Sequence, residues 1–284
     1  MSDTTLILTL LLGGTVGTIL GLTGAGGSIF AVPLLMWGLG WTLPQAAPVA
    51  LISVAMTAAF GTAATWDVAQ IRYRAAVLMS LAGMLTAPLG LAAARHLPAQ
   101  QLTGLFAVVL VLAGVRMFLQ ARRAAAEPLH EKENGSSDRS TDSRICRIDR
   151  GTGRFVWNRS CFMLISGAGM TTGFLAGLLG VGGGFVIVPV LRAGTELSIH
   201  SAIATSLMVI AITSAGTAMM AMIGGTMIPW ALALPFVIGS LAGMLGGRRL
   251  ARRIGGPSLQ RFFSALMLVV AAVLMWQSAS AILG

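Results

Sequence analysis

Long apolar stretches dominate the pattern of hydrophobic and polar positions along the chain. No Asp, Glu, Lys or Arg occurs in the 63 positions between Asp3 and Asp67. A helix needs about 20 apolar residues to cross a membrane, so this stretch is long enough to enter or cross the bilayer about three times. The pattern predicts an all-α protein with several membrane spans.

The same order of elements is predicted twice: a long helix, a glycine-rich break, a short helix and three full-length helices. The helices of the first half are expected at 4–22, 28–39, 44–66, 75–94 and 99–120, with the break at 23–27. Those of the second half are expected at 160–179, 184–193, 198–222, 229–247 and 260–282. The pieces at 28–39 and 184–193 are too short to cross a membrane alone.

An internal repeat underlies this order. The glycine-rich stretch from Gly17 to Ser28 recurs from Gly173 to Gly184, an offset of 156 positions. The segment 80–85 returns letter for letter as 240–245. Two homologous halves of this kind indicate a duplicated membrane unit. We therefore divide the chain into a first membrane repeat (1–121), a basic linker (122–159) and a second membrane repeat (160–284).

The distribution of basic residues favours one topology. If each broken segment made a single crossing, seven of the 19 Lys and Arg residues would lie outside the cell, against the positive-inside rule. If each segment turns back at its glycines, only Arg95 lies outside, and the second half is inverted. The prediction is two inverted repeats, each a re-entrant helix pair plus three transmembrane helices, with both termini outside and the linker cytoplasmic.

The glycine breaks are the predicted site. Backbone freed from helical hydrogen bonds cannot face lipid, so each break must be buried in protein or line a cavity. The helix that follows begins with unpaired N–H groups and the positive end of its dipole, which suits an anion. The expected substrate-binding residues are Gly24, Gly26, Gly27, Ser28, Gly180, Gly182, Gly183, Gly184, Thr205 and Ser206.

A competing interpretation needs no ligand. Gly21, Gly24, Gly177 and Gly180 have the small-xxx-small spacing of tightly packed membrane helices. Packing explains the consecutive glycines at 26–27 and 182–184 less well, because such runs end helices and occur at equivalent places in both halves.

Several other functions find little support. Composition is 56% apolar and 10% charged, which excludes an ordinary soluble globule. The net charge of +10 comes from the linker and helix ends, so we predict no nucleic-acid partner. Cys146 and Cys161 lack metal-type spacing, and we expect neither zinc nor a disulfide there. No dinucleotide or Walker motif is present, and we predict no cofactor and no metal.

These residues resemble the TauE/SafE family of sulfite exporters: a doubled glycine break followed by Val-Pro, with Thr-Ser-Leu after the second copy. The resemblance covers 1–120 and 160–284 and implies bacterial inner-membrane permeases that move sulfite, sulfonates or related organosulfur anions outward. The matching residues here are Gly24, Gly26, Gly27, Pro33, Gly180, Gly182, Gly183, Gly184, Pro189, Thr205 and Ser206. The first copy departs from the pattern, with Ser28 opposite Gly184 and Ala50-Leu51 opposite Thr205-Ser206.

The leading hypothesis is a secondary transporter that exports a small anion across the lipid bilayer by alternating access. A passive anion channel and a non-transporting assembly or sensor protein are the alternatives. An intramembrane protease with Ser28 as nucleophile and His200 as base lacks a supporting Asp, and we predict no enzyme. The coupling ion, the choice of anion and a homo-oligomeric state are left open by the sequence.

Overall fold

The computed structural model describes residues 3–24, 26–64, 72–126, 146, 158–195, 199–251 and 256–283. These residues form ten α-helices and one short 3-10 helix, Gly26–Phe30, so the predicted all-α fold is confirmed. The α-helices are α1 Asp3–Thr23, α2 Ala31–Leu39, α3 Leu43–Ala63, α4 Tyr73–His96, α5 Ala99–Ala126, α6 Arg159–Leu179, α7 Gly184–Gly194, α8 Ile199–Ile223, α9 Trp230–Ala251 and α10 Gly256–Leu283.

Seven of the described helices are long and apolar enough to cross a membrane: α1, α3, α4, α5, α6, α8 and α9. Their outward faces carry large apolar side chains. On α4, for example, Leu81, Leu85 and Leu89 are 56%, 72% and 63% exposed at four-residue spacing, while Met79 and Gly83 are buried. An apolar stripe that points away from the protein is what a lipid-facing helix requires.

The first broken segment folds back on itself. α1 ends at Thr23, and Gly24 has a φ of +79°. After the break, Gly27 lies against the backbone of Leu20, and Gly38 lies against the side chain of Leu12. Residue numbers fall along α1 as they rise along the returning chain, so α2 runs antiparallel to α1.

The second broken segment repeats this hairpin. Gly183 lies against Thr172, and Gly194 lies against the side chain of Leu164. α7 therefore runs back along α6, as α2 runs back along α1. The first copy differs in one respect, because a 3-10 turn precedes α2 whereas α7 begins directly at Gly184.

The first helix of each half packs on the fourth helix of the other half. Three glycines of α1 face three residues of α9 in the same chain order: Gly13 on Phe236, Gly17 on Ser240 and Gly21 on Met244. Three glycines of α6 face α4 in the same way: Gly169 on Met79, Gly173 on Gly83 and Gly177 on Ala87. Close backbone approach through small residues is a common way of packing membrane helices. This favours the packing interpretation for Gly21 and Gly177.

These contacts also set the helix directions. α1 and α9 run parallel, and so do α4 and α6. Arg248 donates to the Gly61 carbonyl (2.9 Å) and Ser53 Oγ lies 2.7 Å from Ser240 Oγ, so α3 is parallel to α9. Arg95 donates to the Gly224 carbonyl (2.8 Å) near the ends of α4 and α8.

α3 and α8 pack in opposite directions. Leu207, near the start of α8, lies beside Gly61 near the end of α3. Later residues of α8 lie at the depth of Val54, earlier in α3. One set of helices (α1, α3, α9) thus runs opposite to the other (α4, α6, α8), and α1, α3 and α4 each oppose their repeat counterparts α6, α8 and α9.

The expectation that Cys146 and Cys161 stay unpaired is wrong. They form a disulfide with Cα atoms 5.0 Å apart. The Cys146 N–H donates to the Gly194 carbonyl (3.0 Å), and Cys146 bridges to Thr195. Sequence spacing does not reveal this pairing, because it arises where the linker meets the start of α6 and the end of α7.

The described residues of the predicted linker (122–159) are few. α5 continues as a helix to Ala126, beyond the predicted boundary at 121. Cys146, Asn158 and Arg159 are also described, and the other residues of that prediction lie outside the described part of the chain.

Candidate functional site

The second glycine break reverses the chain within four residues. Gly180 ends α6 with a φ of +72° and donates its N–H to the Ala176 carbonyl (2.9 Å). Gly182 and Gly183 follow with φ of +72° and +63°. Residues with a Cβ rarely adopt this left-handed conformation, so the positions need glycine. Gly183 is the N-cap of α7, and Gly184 is its first residue.

This break lies near the centre of the helix bundle. A Cβ built on Gly182 would lie 3.2 Å from Val54 and 3.5 Å from Ile210, and both of these residues are near the middle of long helices. Gly182, Gly183 and Gly184 are buried. The reversal that follows α6 therefore brings the start of α7 to about half the depth of the bundle.

The start of α7 can act as an anion cradle. Gly183 provides no side-chain cap. The first N–H that forms a hydrogen bond within this segment is that of Val186, which donates to the Gly183 carbonyl (3.1 Å). The N–H groups of Gly184 and Phe185 precede it, at the positive end of the helix dipole. Such a helix start favours a bound negative charge.

Two buried residues with hydroxyl groups lie against this break, and neither was among the residues predicted for the site. Ser214 Oγ lies 2.5 Å from the position of a Cβ on Gly182, and the methyl group and backbone of Thr172 lie against Gly183. Both side chains are 0% exposed, and neither hydroxyl has a hydrogen-bond partner within the described part of the protein. Buried polar atoms of this kind call for an explanation, because leaving one unpaired costs about 1–3 kcal/mol.

The first break is arranged differently. Gly24 lies against the side chain of Ile203 on α8, and Gly27 lies against the backbone of α1. Ser28 is fully buried within the 3-10 helix. This helix, which begins at Gly26, lies with Cα atoms within 8 Å of α7. The structure therefore brings the two broken segments together.

Thr205 and Ser206 lie on α8 within one turn of Ile203, beside the first break rather than the second. Both are 0% exposed. Thr205 Oγ1 accepts a hydrogen bond from the Arg72 backbone N–H (3.2 Å), and Ser206 Oγ donates to the Ile203 carbonyl (2.8 Å). Their hydroxyls are thus engaged with the protein in this conformation.

Most other buried hydroxyls bond to their own helix. Thr57 donates to the Ser53 carbonyl (2.6 Å), Thr213 to the Val209 carbonyl (2.7 Å) and Thr217 to the Thr213 carbonyl (2.7 Å). Bonds to a carbonyl three or four residues earlier are the usual fate of Ser and Thr in membrane helices. Four hydroxyls of the described residues are exceptions to this pattern, because they have no partner there: those of Ser80, Ser166, Thr172 and Ser214.

Reciprocal contacts align the two halves around the breaks. Gly24 meets Ile203 and Gly180 meets Ala47, and both members of these pairs are offset by 156 positions. At this offset Thr205 and Ser206 correspond to Val49 and Ala50 rather than to Ala50 and Leu51. Both counterparts remain apolar.

The same offset pairs Thr172 with Val16 and Ser214 with Ala58. Val16 and Ala58 are also buried, at 1% and 0% exposure. At each of these buried positions, one half has a hydroxyl and the other half has an apolar residue. This difference between the halves is the sequence signal that would have pointed to Thr172 and Ser214.

An open groove of about 630 Å³ lies away from the breaks, between the ends of α4 and α8. Its lining is largely apolar, including Leu91, Met220 and Ile223. Arg95 also lines it, but one of its Nη atoms donates to the Gly224 carbonyl at the end of α8. The groove is a less suitable anion site than the buried start of α7.

Known proteins match nearly the whole length of the chain. Residues 9–274 match the family model described as "Sulfite exporter TauE/SafE". Proteins named "Probable membrane transporter protein" from two strains of Xylella fastidiosa are 30% and 31% identical, each alignment covering 98% of both chains.

A more distant relative, "Probable membrane transporter protein YunE" of Bacillus subtilis, is 24% identical over 98% of both chains. No solved structure matches the chain. The family model spans nearly all of the sequence, including both glycine breaks. The chain is therefore a multi-pass membrane transporter protein that belongs to the sulfite exporter TauE/SafE family.

Proposed function

We propose that this transporter exports a small anion, such as sulfite, a sulfonate or another organosulfur anion, by alternating access around its two broken helices. The observation that carries the proposal is the buried, uncapped start of α7 at half the depth of the bundle, beside the first broken segment. Backbone N–H groups and a helix dipole bind an anion without the strong charge that would hinder its release.

The proposal includes an inverted arrangement of the repeats in the bacterial inner membrane. It is supported by the opposite directions of each helix and its repeat counterpart. Broken helices that meet at the interface of inverted repeats form the substrate sites of many secondary transporters. In this arrangement the two halves rock about the meeting point of the breaks, which opens the site to one side of the membrane at a time.

The proposed orientation places both termini outside and the linker in the cytoplasm. Arg72, at the start of α4, lies at the same end of the bundle as Arg248, near the end of α9. Arg95 lies at the other end, bonded to Gly224. Among the described residues, Arg95 stands alone at one end while other arginines lie at the opposite end, and this is the asymmetry that the positive-inside rule describes.

The direct test is transport in inside-out membrane vesicles, in which export becomes uptake. Vesicles that contain the protein should accumulate labelled sulfite or an alkyl sulfonate, and vesicles without it should not. Preloading with unlabelled anion should accelerate uptake by counterflow, which a channel does not show. The proposal fails if no anion of a broad panel accumulates and a pH gradient changes nothing.

A further inference from the structure

We propose that the anion is bound at the second break alone and that Thr172 and Ser214 are its specificity-determining hydroxyl donors. The inference rests on the proposed function, because it names the residues and the substrate class of the same site. Nothing in the family match or in the names of the relatives assigns these two residues.

The hydroxyls of Thr172 and Ser214 are buried without a partner in the part of the chain that the structure describes. Each side chain is 0% exposed. Thr213 and Thr217, on the same helix as Ser214, bond to carbonyls of their own helix. The hydroxyls of Ser80 and Ser166 also lack a partner among the described residues, and Thr172 and Ser214 are the two of this group that lie against glycines of the second break. An oxyanion that accepts from both would remove that penalty.

Both residues lie against the second break. Ser214 Oγ lies 2.5 Å from the position of a Cβ on Gly182, and the methyl group and backbone of Thr172 lie against Gly183, the N-cap of α7. Gly184 and Phe185, which present the N–H groups that precede the first intrahelical bond, follow Gly183 directly in the chain. Thr172 and Ser214 therefore lie next to the first amide donors of α7.

The two halves of the repeat differ at these positions. Around the first break, the positions equivalent to Thr172 and Ser214 are occupied by Val16 and Ala58, which have no donor. The first break therefore lacks counterparts of these two hydroxyls. It completes the wall of the site through the contact of its 3-10 helix with α7, and the second break supplies the polar contacts.

The donor set selects a class of substrate. No Asp, Glu, Lys or Arg occurs in the middle of any span, and the start of a helix carries a partial charge of only about +0.5. A dianion would be poorly neutralised in a buried site of this kind. The site suits a singly charged oxyanion with several acceptor oxygens, such as a sulfonate group or hydrogen sulfite, rather than sulfate.

Two substitutions test the donors. Thr172→Val and Ser214→Ala each remove a hydroxyl and install the residue found at the equivalent place in the first half. Thr217→Val is the matched control, since it removes a buried hydroxyl from the same helix as Ser214 that is bonded to the Thr213 carbonyl. We expect each of the two site variants to raise KM for methanesulfonate about 10-fold or more. Thr172→Ser should restore it, and Thr217→Val should stay near wild type.

Binding without transport is measured in parallel, as the rise in thermal unfolding temperature of purified protein on adding an anion. Methanesulfonate should stabilise the wild type, sulfate at equal ionic strength should not, and sulfite should bind more tightly at the lower pH, where it holds a proton. Equal stabilisation by sulfate and methanesulfonate would overturn the monoanion assignment.

The outcomes separate the two proposals. Suppose that the wild type transports the anion and that Thr172→Val and Ser214→Ala both behave like Thr217→Val. The assignment of the hydroxyls is then overturned, and the proposed function stands. If the wild type moves no anion but is stabilised by one, and both variants lose this stabilisation, the site is supported and the transport function is overturned. A wild type that neither binds nor moves any anion of the panel overturns both.

Discussion

Gly180, Gly182 and Gly183 adopt a left-handed backbone conformation that costs a residue with a Cβ about 1–2 kcal/mol. Their positions were predictable from the sequence, because consecutive glycines in an apolar segment end a helix. The unpaired state of the Thr172 and Ser214 hydroxyls was not predictable in this way. Whether a hydroxyl bonds to its own helix or stays unpaired depends on atoms contributed by other helices.

Gly183→Ala should abolish transport and destabilise the protein by about 1–3 kcal/mol. Alanine would have to keep a φ of +63°, which strains a residue with a Cβ, and its methyl group would lie 2.7 Å from the Thr172 carbonyl oxygen. Gly167→Ala on α6 is the control, since its Cβ would have no neighbour within 4 Å among the described atoms. Vesicle uptake and thermal unfolding measure both variants. If folded Gly183→Ala protein transports as well as the wild type, the break has no part in transport.

At the scale of elements, pairs of helices from different halves hold the fold together. The glycine spacing of α1 and α6 predicts that each has a tightly packed face, but the identity of the partner helix is not encoded in that spacing. The packing of α1 on α9 and of α6 on α4 results from the three-dimensional arrangement of both halves. The short 3-10 turn before α2 was also not predicted. Within the described residues, only the first break has this turn, although the two breaks are nearly equal in sequence.

The α1–α9 contact should not tolerate a methyl group at its centre. Gly17→Ala would place its Cβ 2.6 Å from the backbone carbonyl carbon of Ser240, and rigid backbone cannot yield. We expect a loss of about 1–3 kcal/mol, seen as a lower unfolding temperature in detergent. Gly14→Ala, whose nearest described neighbour would lie at 3.8 Å, should remain close to wild type. Equal unfolding temperatures for the two variants would contradict the described packing.

The Cys146–Cys161 disulfide should bind the linker to the end of the second hairpin. Closing a loop of about 15 residues stabilises a protein by about 3 kcal/mol in the chain-entropy account. A reductant should therefore lower the unfolding temperature of oxidised wild type and leave Cys146→Ser unchanged. Disulfides are rare in the cytoplasm, so with the linker in its proposed cytoplasmic position the pair should be reduced in resting cells and form on oxidation. Two freely alkylated thiols in oxidised protein would refute the pairing.

At the scale of the whole molecule, the charge count predicted that the segments turn back and that the second half is inverted. Within the described residues both broken segments form hairpins, and α1, α3 and α4 run opposite to α6, α8 and α9. The inverted-repeat topology in the membrane stays a prediction. The side of the membrane that each end faces remains a prediction.

Reporter fusions test this orientation. Alkaline phosphatase joined after residue 284 should be active, because it folds only outside the cytoplasm, and green fluorescent protein at the same site should be dark. Green fluorescent protein joined after residue 130, in the linker, should fluoresce. The reverse pattern would mean that the protein is oriented with its bases outside.

The central claim is that an anion binds where the start of α7 meets the first broken segment. The most direct measurement is an experimental density map of the protein with sulfite or methanesulfonate present. We expect one anion within hydrogen-bonding distance of the Gly184 N–H, Thr172 and Ser214. An anion in the groove between α4 and α8, beside Arg95, with none at the start of α7, would contradict the account.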